Sequence, residues 1–259
     1  MYGAERRSLI LESLEREGNV NVNLLASQFS TSRETIRRDL RDMEAAGILK
    51  RTYGGAVLTS SNRSDGYEYP LQVREVQHYE EKQRICKAAA SFVEDGDMIF
   101  LDNSSTTIGL LRYVPRDIKF SVLTNSIQIM LEAGELNNSN IVVIGLGGIF
   151  NAKNYSLTGL LSKSCAENFF PDKAFMSCRG VDERSGMTDA SILEIEVKRN
   201  MLSRSRQFIL LADYSKFGLI GAVHMGSLDE VDVVVTDAKA DPDKLKMFQD
   251  RKARIVIAE

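Results

Sequence analysis

Ser32-Arg33-Glu34-Thr35-Ile36-Arg37-Arg38-Asp39-Leu40-Arg41-Asp42-Met43 is the run that decides how this 259-residue chain begins. Ile36, Leu40 and Met43 recur at i, i+4 and i+7, one face of an α-helix. Ser32 stands where an N-cap belongs, and Glu34 places a negative charge in the first turn. The opposite face carries Glu34, Arg37, Arg38 and Arg41, with Arg33 at the helix start. Cations near the start of a helix oppose its dipole, so helix stability does not account for them. A polyanion lying against that face would. The plain alternative is a solvated charged face, because Asp39, Asp42 and Glu44 are interleaved.

The neighbours weigh against that alternative. Glu5 to Glu17 predicts a helix with Leu9, Ile10 and Leu14 inward, stopped by Gly18. Val20 and Val22 alternate before Asn23, a candidate cap. Leu24, Leu25, Ala26 and Phe29 predict a short second helix, and Ser30-Thr31 a tight connection into the third. Two helices joined by a short turn, the second basic on its outer face, make a helix-turn-helix pattern. Gly47 ends the third helix. Ile48-Leu49-Lys50-Arg51 then predicts a strand, Gly54-Gly55 a turn, and Ala56-Val57-Leu58 a return strand, a basic two-stranded wing.

With Glu5-Arg6-Arg7, Ile10, Leu14, Gly18, Leu25-Ala26, Phe29, Ser32, Thr35-Ile36-Arg37-Arg38-Asp39-Leu40, Gly47, Arg51 and Tyr53-Gly54-Gly55-Ala56 assembled, the run resembles the N-terminal domain of DeoR-type bacterial transcription regulators. The resemblance implies a winged helix-turn-helix over residues 1–58 that binds double-stranded operator DNA. Arg33, Arg37 or Arg38 would stand nearest base edges. Ser32, Thr35, Lys50 and Arg51 would hold phosphates, which position without specifying.

Charge is distributed to match. Residues 1–60 hold nine Lys/Arg against eight Asp/Glu, and residues 61–259 hold 24 against 28, for −3 overall. The basic footprint is therefore local, and affinity has to come from a small patch doubled by oligomerisation, as a homodimer or homotetramer. Cys86, Cys165 and Cys178 share no C-x-x-C spacing, and His78 and His224 lie far apart, so no metal or cofactor is called for. The odd cysteine count suits a reducing cytoplasm. The N-terminus lacks an apolar signal core, and no apolar run approaches membrane-spanning length.

Thr59 to Gly66 is small and polar, and residues 59–70 read as a linker. Residues 71–259 read as one α/β domain. Leu71 to Val93 is helical in composition, with Ile85, Ala88, Ala89 and Phe92 as its apolar stripe. After it, apolar runs repeatedly end in small polar clusters. Met98–Leu101 leads into Asp102-Asn103-Ser104-Ser105-Thr106-Thr107, Ser121–Leu123 into Thr124-Asn125-Ser126, and Ile141–Ile144 into Gly145-Leu146-Gly147-Gly148. Lys173–Met176 leads into Ser177-Cys178-Arg179-Gly180-Val181-Asp182, Phe208–Leu211 into Ala212-Asp213-Tyr214-Ser215-Lys216, and Val233–Val235 into Thr236-Asp237. Short continuous apolar strands alternating with helices predict a mainly parallel sheet covered on both faces. Ligands of such sheets bind beyond the carboxyl ends of the strands, where these clusters lie.

Ser104-Ser105-Thr106-Thr107 sets four hydroxyls before a helix expected near Ile108, a composition suited to cradling a phosphate. Capping alone needs one hydroxyl. Gly147 and Gly148 would let backbone approach a ligand, although a tight turn explains them equally. Lys216 offers a cation, and Arg179 at a strand end asks for an anionic partner. Glu194 and Lys198 read as an i,i+4 pair.

This half also resembles the DeoR-type sensor domain, which is similar in fold to ribose-5-phosphate isomerase and binds phosphorylated sugars. The matching segments are Asp102-x-Ser104-Ser105-Thr106, Thr124-Asn125-Ser126, Gly147-Gly148, Gly180-x-Asp182, Gly186-x-Thr188, Asp213-x-Ser215-Lys216-Phe217-Gly218 and Thr236-Asp237. Ser104 stands where the family usually has glycine, which reshapes that loop. The resemblance implies effector contacts from Asp102, Ser104, Ser105, Thr106, Thr107, Thr124, Asn125, Gly147, Gly148, Arg179, Asp182 and Lys216. It also implies repression of a carbohydrate operon, relieved by the sugar phosphate. An isomerase would need a carboxylate base near the substrate carbon. Where the isomerases carry D-G-A-D-E, this chain has Arg179-Gly180-Val181-Asp182-Glu183, and the charge reversal suits holding an anion over abstracting a proton.

Overall fold

A computed structural model describes residues 3–58, 69–251 and 253–259. The chain divides into two compact units, Met1–Tyr79 and Glu80–Glu259. Most of the expected linker, 59–68, lies outside the described residues.

The first unit runs α1 (Gly3–Glu17), β1 (Asn19–Asn21), α2 (Val22–Gln28), α3 (Arg33–Ala45), β2 (Leu49–Thr52), β3 (Gly55–Leu58) and α4 (Leu71–Val76). Ile10, Leu14, Leu25, Ile36, Leu40, Met43 and Leu49 close over one core. Truncating any of the larger ones to alanine should cost about 2–5 kcal/mol. The cap of α2 is Asn21, whose side chain accepts from the Asn23 and Leu24 amides, two residues earlier than the sequence suggests. The wing is a three-stranded antiparallel sheet in the order β1-β3-β2, so the Val20 segment adds a strand to the expected pair. Its glycines have separate reasons. Gly54 turns at φ +90, and a Cβ on Gly55 would lie 1.9 Å from the Val20 carbonyl oxygen.

Helix α4 was expected with the second domain. Val76 instead belongs to the first unit's core, and Arg7 reaches Glu75 at 3.9 Å. Three apolar positions on a six-residue helix, Leu71, Val73 and Val76, are all buried, which outweighs the linker's composition as a boundary marker.

The second unit is built on seven parallel strands: β4 (Met98–Leu101), β5 (Phe120–Thr124), β6 (Ile141–Gly145), β9 (Lys173–Met176), β12 (Gln207–Leu211), β14 (Val233–Asp237) and β15 (Arg254–Ala258). Between them run a hairpin, β7 (Ile149–Asn151) and β8 (Ser156–Thr158), and an antiparallel trio, β10 (Gly180–Asp182), β11 (Gly186–Asp189) and β13 (Val223–Gly226). Helices α5 (Tyr79–Ala90), α6 (Ile127–Leu136), α7 (Leu160–Ala166), α8 (Ile192–Arg204) and α9 (Pro242–Gln249) complete it. The sheet order is β15-β14-β12-β9-β4-β5-β6. The chain therefore winds outward one way from β4 and the other way from β9, and the order reverses between them. That reversal sets a topological switch point, and open parallel sheets take their ligands at the carboxyl edge of such a point.

Candidate functional site

Helix α3 buries Ile36, Asp39, Leu40 and Met43 and exposes Arg33, Arg37, Arg38 and Arg41. Arg37 and Arg41 each approach Glu34 at 3.7 Å, contacts between exposed groups that contribute little. Arg33, Arg38 and Lys50 make no ion pair among the described residues. Ser32 and Thr35 are committed to each other: Ser32 Oγ accepts from the Thr35 amide at 3.0 Å and lies 2.8 Å from its hydroxyl. Arg51 is held too. Its backbone N–H donates to Glu44 at 2.8 Å and its guanidinium at 2.6 Å, tying the wing to α3. The Glu44 carboxyl consequently titrates below its ordinary value, chiefly through the backbone bond and then the side-chain bond. Arg33, Arg37, Arg38 and Arg41, with Lys50 and the fully exposed Tyr53 at the wing's tip, form the open surface.

Asp39 is the surprise on this helix. It is 2% exposed and takes two bonds from Arg6, at 2.5 and 3.1 Å, joining α3 to α1. The arginines of the motif are presented outward, while its aspartate locks the helix from behind.

At the carboxyl edge of the sheet, the hydroxyl loop after β4 leads into turns and a 3-10 segment, Leu110–Tyr113, and not into an α-helix. The α-helical N-terminus expected near Ile108 is therefore not there to cradle a phosphate. Glycine at 109 and the pairing of Arg112 with Glu132 on α6 set this path instead. Several expected ligand groups bond within the protein. Thr107 Oγ1 donates to the Asp102 side chain at 2.9 Å and lies 3.0 Å from Ser104 Oγ. Thr124 Oγ1 donates to the Leu101 carbonyl at 2.7 Å and accepts from the Ser126 amide at 3.0 Å. Asp182 accepts from the Arg184 and Ser185 amides, shaping the β10–β11 turn, and its pKa is lowered first by the Ser185 bond. Gly148 sits where a Cβ would meet the Thr158 carbonyl at 2.6 Å, whereas Gly147 faces open space.

Asp102 belongs to a buried cluster. Lys198, on α8, reaches Asp102 at 3.0 Å, Asp189 at 2.6 Å and the Ser177 carbonyl at 2.9 Å. All three ammonium protons are used, and the same Asp102 carboxylate accepts from the Ser177 amide. Burial opposes the charge on Lys198, and the two carboxylates outweigh it, so its pKa is raised. The expected Glu194–Lys198 pair does not form. Glu194 turns instead to the β7–β8 hairpin, accepting from Ser156 at 2.5 Å, Asn154 at 3.1 Å and Asn151 at 3.3 Å.

What remains available at this edge is a smaller set. Ser105 accepts from buried Lys82 at 3.0 Å, and Thr106 is buried beside it. Asn125 is wholly buried, its amide N–H groups near Asn103 and the Leu157 carbonyl, and its Oδ1 has no hydrogen-bond partner. A buried acceptor left open asks for a donor. Lys216, half-buried, makes no ion pair among the described residues and lies close enough to lower the Cys178 thiol, which burial, with Asp189, nonetheless pushes up to about 12. Arg179, half-buried at the end of the neighbouring strand, already has an interaction of its own and does not belong to that set. Lys82, Asn103 and Lys198 lay outside the expected set. Lys198 had a signal: it sits three residues from both Ile195 and Met201, on the apolar face of α8.

A winged helix presenting exposed arginines, joined in one chain to a parallel α/β unit with polar clusters at its topological switch, defines a DNA-binding regulator with a sensor domain. Residues 6–62 match the DeoR-like helix-turn-helix domain and residues 77–238 the DeoR C terminal sensor domain. The chain belongs to the DeoR family of transcriptional regulators. It is 37% identical to the uncharacterized HTH-type transcriptional regulator YulB of Bacillus subtilis over 98% of this chain and 96% of that one. It is 32% identical to the HTH-type transcriptional regulator GolR of Listeria innocua over the whole of both. It is also 32% identical to the L-fucose operon activator of Escherichia coli, over 91% of this chain and 96% of the relative. Among solved structures, a ribose 5-phosphate isomerase of Methanocaldococcus jannaschii aligns over 54% of this chain and 55% of its own, with TM-score 0.40 and 17% identity. That likeness is too remote to bear on activity. With relatives named as regulators, the chain is a regulator and not an isomerase. Among the described residues no helix is long and apolar enough to cross a membrane.

Proposed function

We propose that this regulator represses a carbohydrate-use operon in the cytoplasm and is released from its operator by a phosphorylated sugar. In this reading the protein works as a homodimer or homotetramer. Each α3 enters a major groove, with Arg33, Arg37 and Arg38 toward base edges and Lys50 toward phosphate. The effector's phosphate is taken at the switch between β4 and β9, and Asn125 accepts from a sugar hydroxyl.

The observation that carries the effector's charge is Lys216, a half-buried cation with no ion pair among the described residues at the edge where Lys82 meets Ser105. A cation left without a carboxylate in a crevice is stabilised by an anionic ligand, and the bonds are charge-assisted. The test is a thermal-shift titration with matched sugar phosphates and free sugars, alongside operator binding by fluorescence anisotropy. A phosphorylated ligand at a hundredfold excess over its Kd should add about 2.7 kcal/mol of stability. The free sugar should add far less, and Lys216→Gln should abolish the difference while leaving operator affinity intact. Equal responses to both members of every pair would remove the phosphate from this reading. Tighter operator binding with the ligand would reverse the sign of regulation.

A further inference from the structure

Six large apolar side chains stand open along one part of the second unit. Ile149 and Phe150 lie on β7, Leu160 and Leu161 open α7, and Ile192 and Leu193 open α8, with exposures of 51 to 77%. These elements are joined. A Cβ on Gly159 would lie 3.5 Å from Ile149 Cδ1. Lys163 on α7 bonds Glu196 on α8 at 2.9 Å, and Glu194 on α8 accepts from the hairpin. Both helices thus begin with two exposed aliphatic residues, and neither has a side-chain cap bond. First-turn positions favour acidic and capping residues, so an apolar pair there does nothing for the helix itself.

We infer that this face is where a second copy of the chain docks. Six side chains exposing about 100 Å² each give ~600 Å² of apolar surface, as large as the largest patch a typical monomer leaves open. With the polar rim that accompanies an apolar share of about 65% in homodimers, the footprint reaches ~900 Å² per partner, the size of a stable interface near 800 Å². A two-fold contact matches this patch to itself and needs no charge complementarity, which suits a second unit that is net acidic. A membrane surface would call for a basic rim, and Lys163 at the border is already paired with Glu196. The hairpin's other side meets the effector edge: the Leu157 amide donates to the Asn125 carbonyl at 2.8 Å.

This inference rests on the oligomeric reading above, and the test separates the two. The mass of the full chain is measured at micromolar concentration by light scattering and sedimentation, with circular dichroism as the check on folding. The wild type should run at a multiple of 28.9 kDa. Leu160→Glu with Ile192→Glu should halve that mass or reduce it to one chain, with unchanged helicity. Ile149→Lys with Leu193→Lys should do the same, and replaces the first pair if that one fails to fold. Both variants should also bind operator at least tenfold more weakly. Oligomeric wild type with both variants at the same mass overturns this face alone. A monomeric wild type overturns the oligomeric reading with it, and pelleting of that monomer with phosphatidylcholine vesicles would assign the patch to lipid.

Discussion

The outer face of α3 and the carboxyl edge of the sheet were both marked by clusters of polar residues, yet the protein uses those residues in opposite ways. On α3 the arginines stand in solvent, and the machinery that aims them, Arg6 with Asp39 and Ser32 with Thr35, lies behind or beside them. At the sheet edge several of the expected ligand groups are themselves the machinery. Asp102, Ser104, Thr107, Thr124 and Asp182 hold loops in place, while Asn125 keeps an open acceptor and Lys216 makes no ion pair among the described residues. A surface that meets a polyanion can leave its cations solvated until contact, whereas a crevice for a small molecule has to be built before the ligand arrives. The edge should therefore tolerate substitution far less than the helix face.

The largest effect tests that asymmetry. Lys198→Met removes the cation between Asp102 and Asp189 and leaves two buried carboxylates facing each other. Breaking a buried pair in this way costs about 3–5 kcal/mol, and chemical denaturation followed through the second unit should show it. The first unit's own transition should not move. Loss below 1 kcal/mol would mean that the edge is no more interlocked than the helix face.

On the helix face the expectation is loss of binding without loss of fold. Arg38→Ala removes an exposed, unpaired cation, so the melting temperature should stay within the scatter typical of surface substitutions. Operator affinity should fall by about 1–3 kcal/mol, with relaxed specificity at one position if Arg38 reads a base, or by a uniform loss and a flatter salt slope if it holds a phosphate. Arg37→Ala should behave alike, because its 3.7 Å contact with exposed Glu34 is worth little. Anisotropy at several salt concentrations checks both. Unchanged affinity in both variants would break the assignment of α3 as the reading helix.

The two regions were also unequally legible. Helical periodicity placed Ile36, Leu40 and Met43 inside and the arginines outside, because one local rule governs both. The same rule marked Asp39, three residues from Ile36 and four from Met43, as an inward carboxylate, a signal outweighed by its charge. The alternation of apolar runs and polar clusters likewise gave the parallel sheet and the edge at which the clusters lie. It did not say which side chains would bond to each other across that edge. Lys198 is 96 residues from Asp102, and pairing at such distances is set by how helices cross the sheet, not by local spacing. The missing helix after Thr107 has the same origin: Arg112 is drawn to Glu132 on another element.

The smallest effect concerns Arg51, where the two kinds of use meet. The sequence assigns it to phosphate, and the structure bonds it to Glu44. The Glu44 carboxyl is held below its ordinary value of 4.5, first by the Arg51 backbone N–H and then by its side chain. A depressed carboxylate pKa stabilises the fold above 4.5, and that contribution is lost as pH falls through the lowered value. Arg51→Ala deletes only the side-chain bond, so a carbon-detected NMR titration should place Glu44 higher than in the wild type but still below 4.5. Operator affinity at neutral pH should then change much less than in Arg38→Ala. A loss in Arg51→Ala as large as that of Arg38→Ala, with a flatter salt slope, would show that Arg51 leaves Glu44 for a phosphate on binding. The wing would in that case be reorganised by DNA, and the contrast between a solvated reading face and an interlocked edge would have to be drawn through the middle of the first unit.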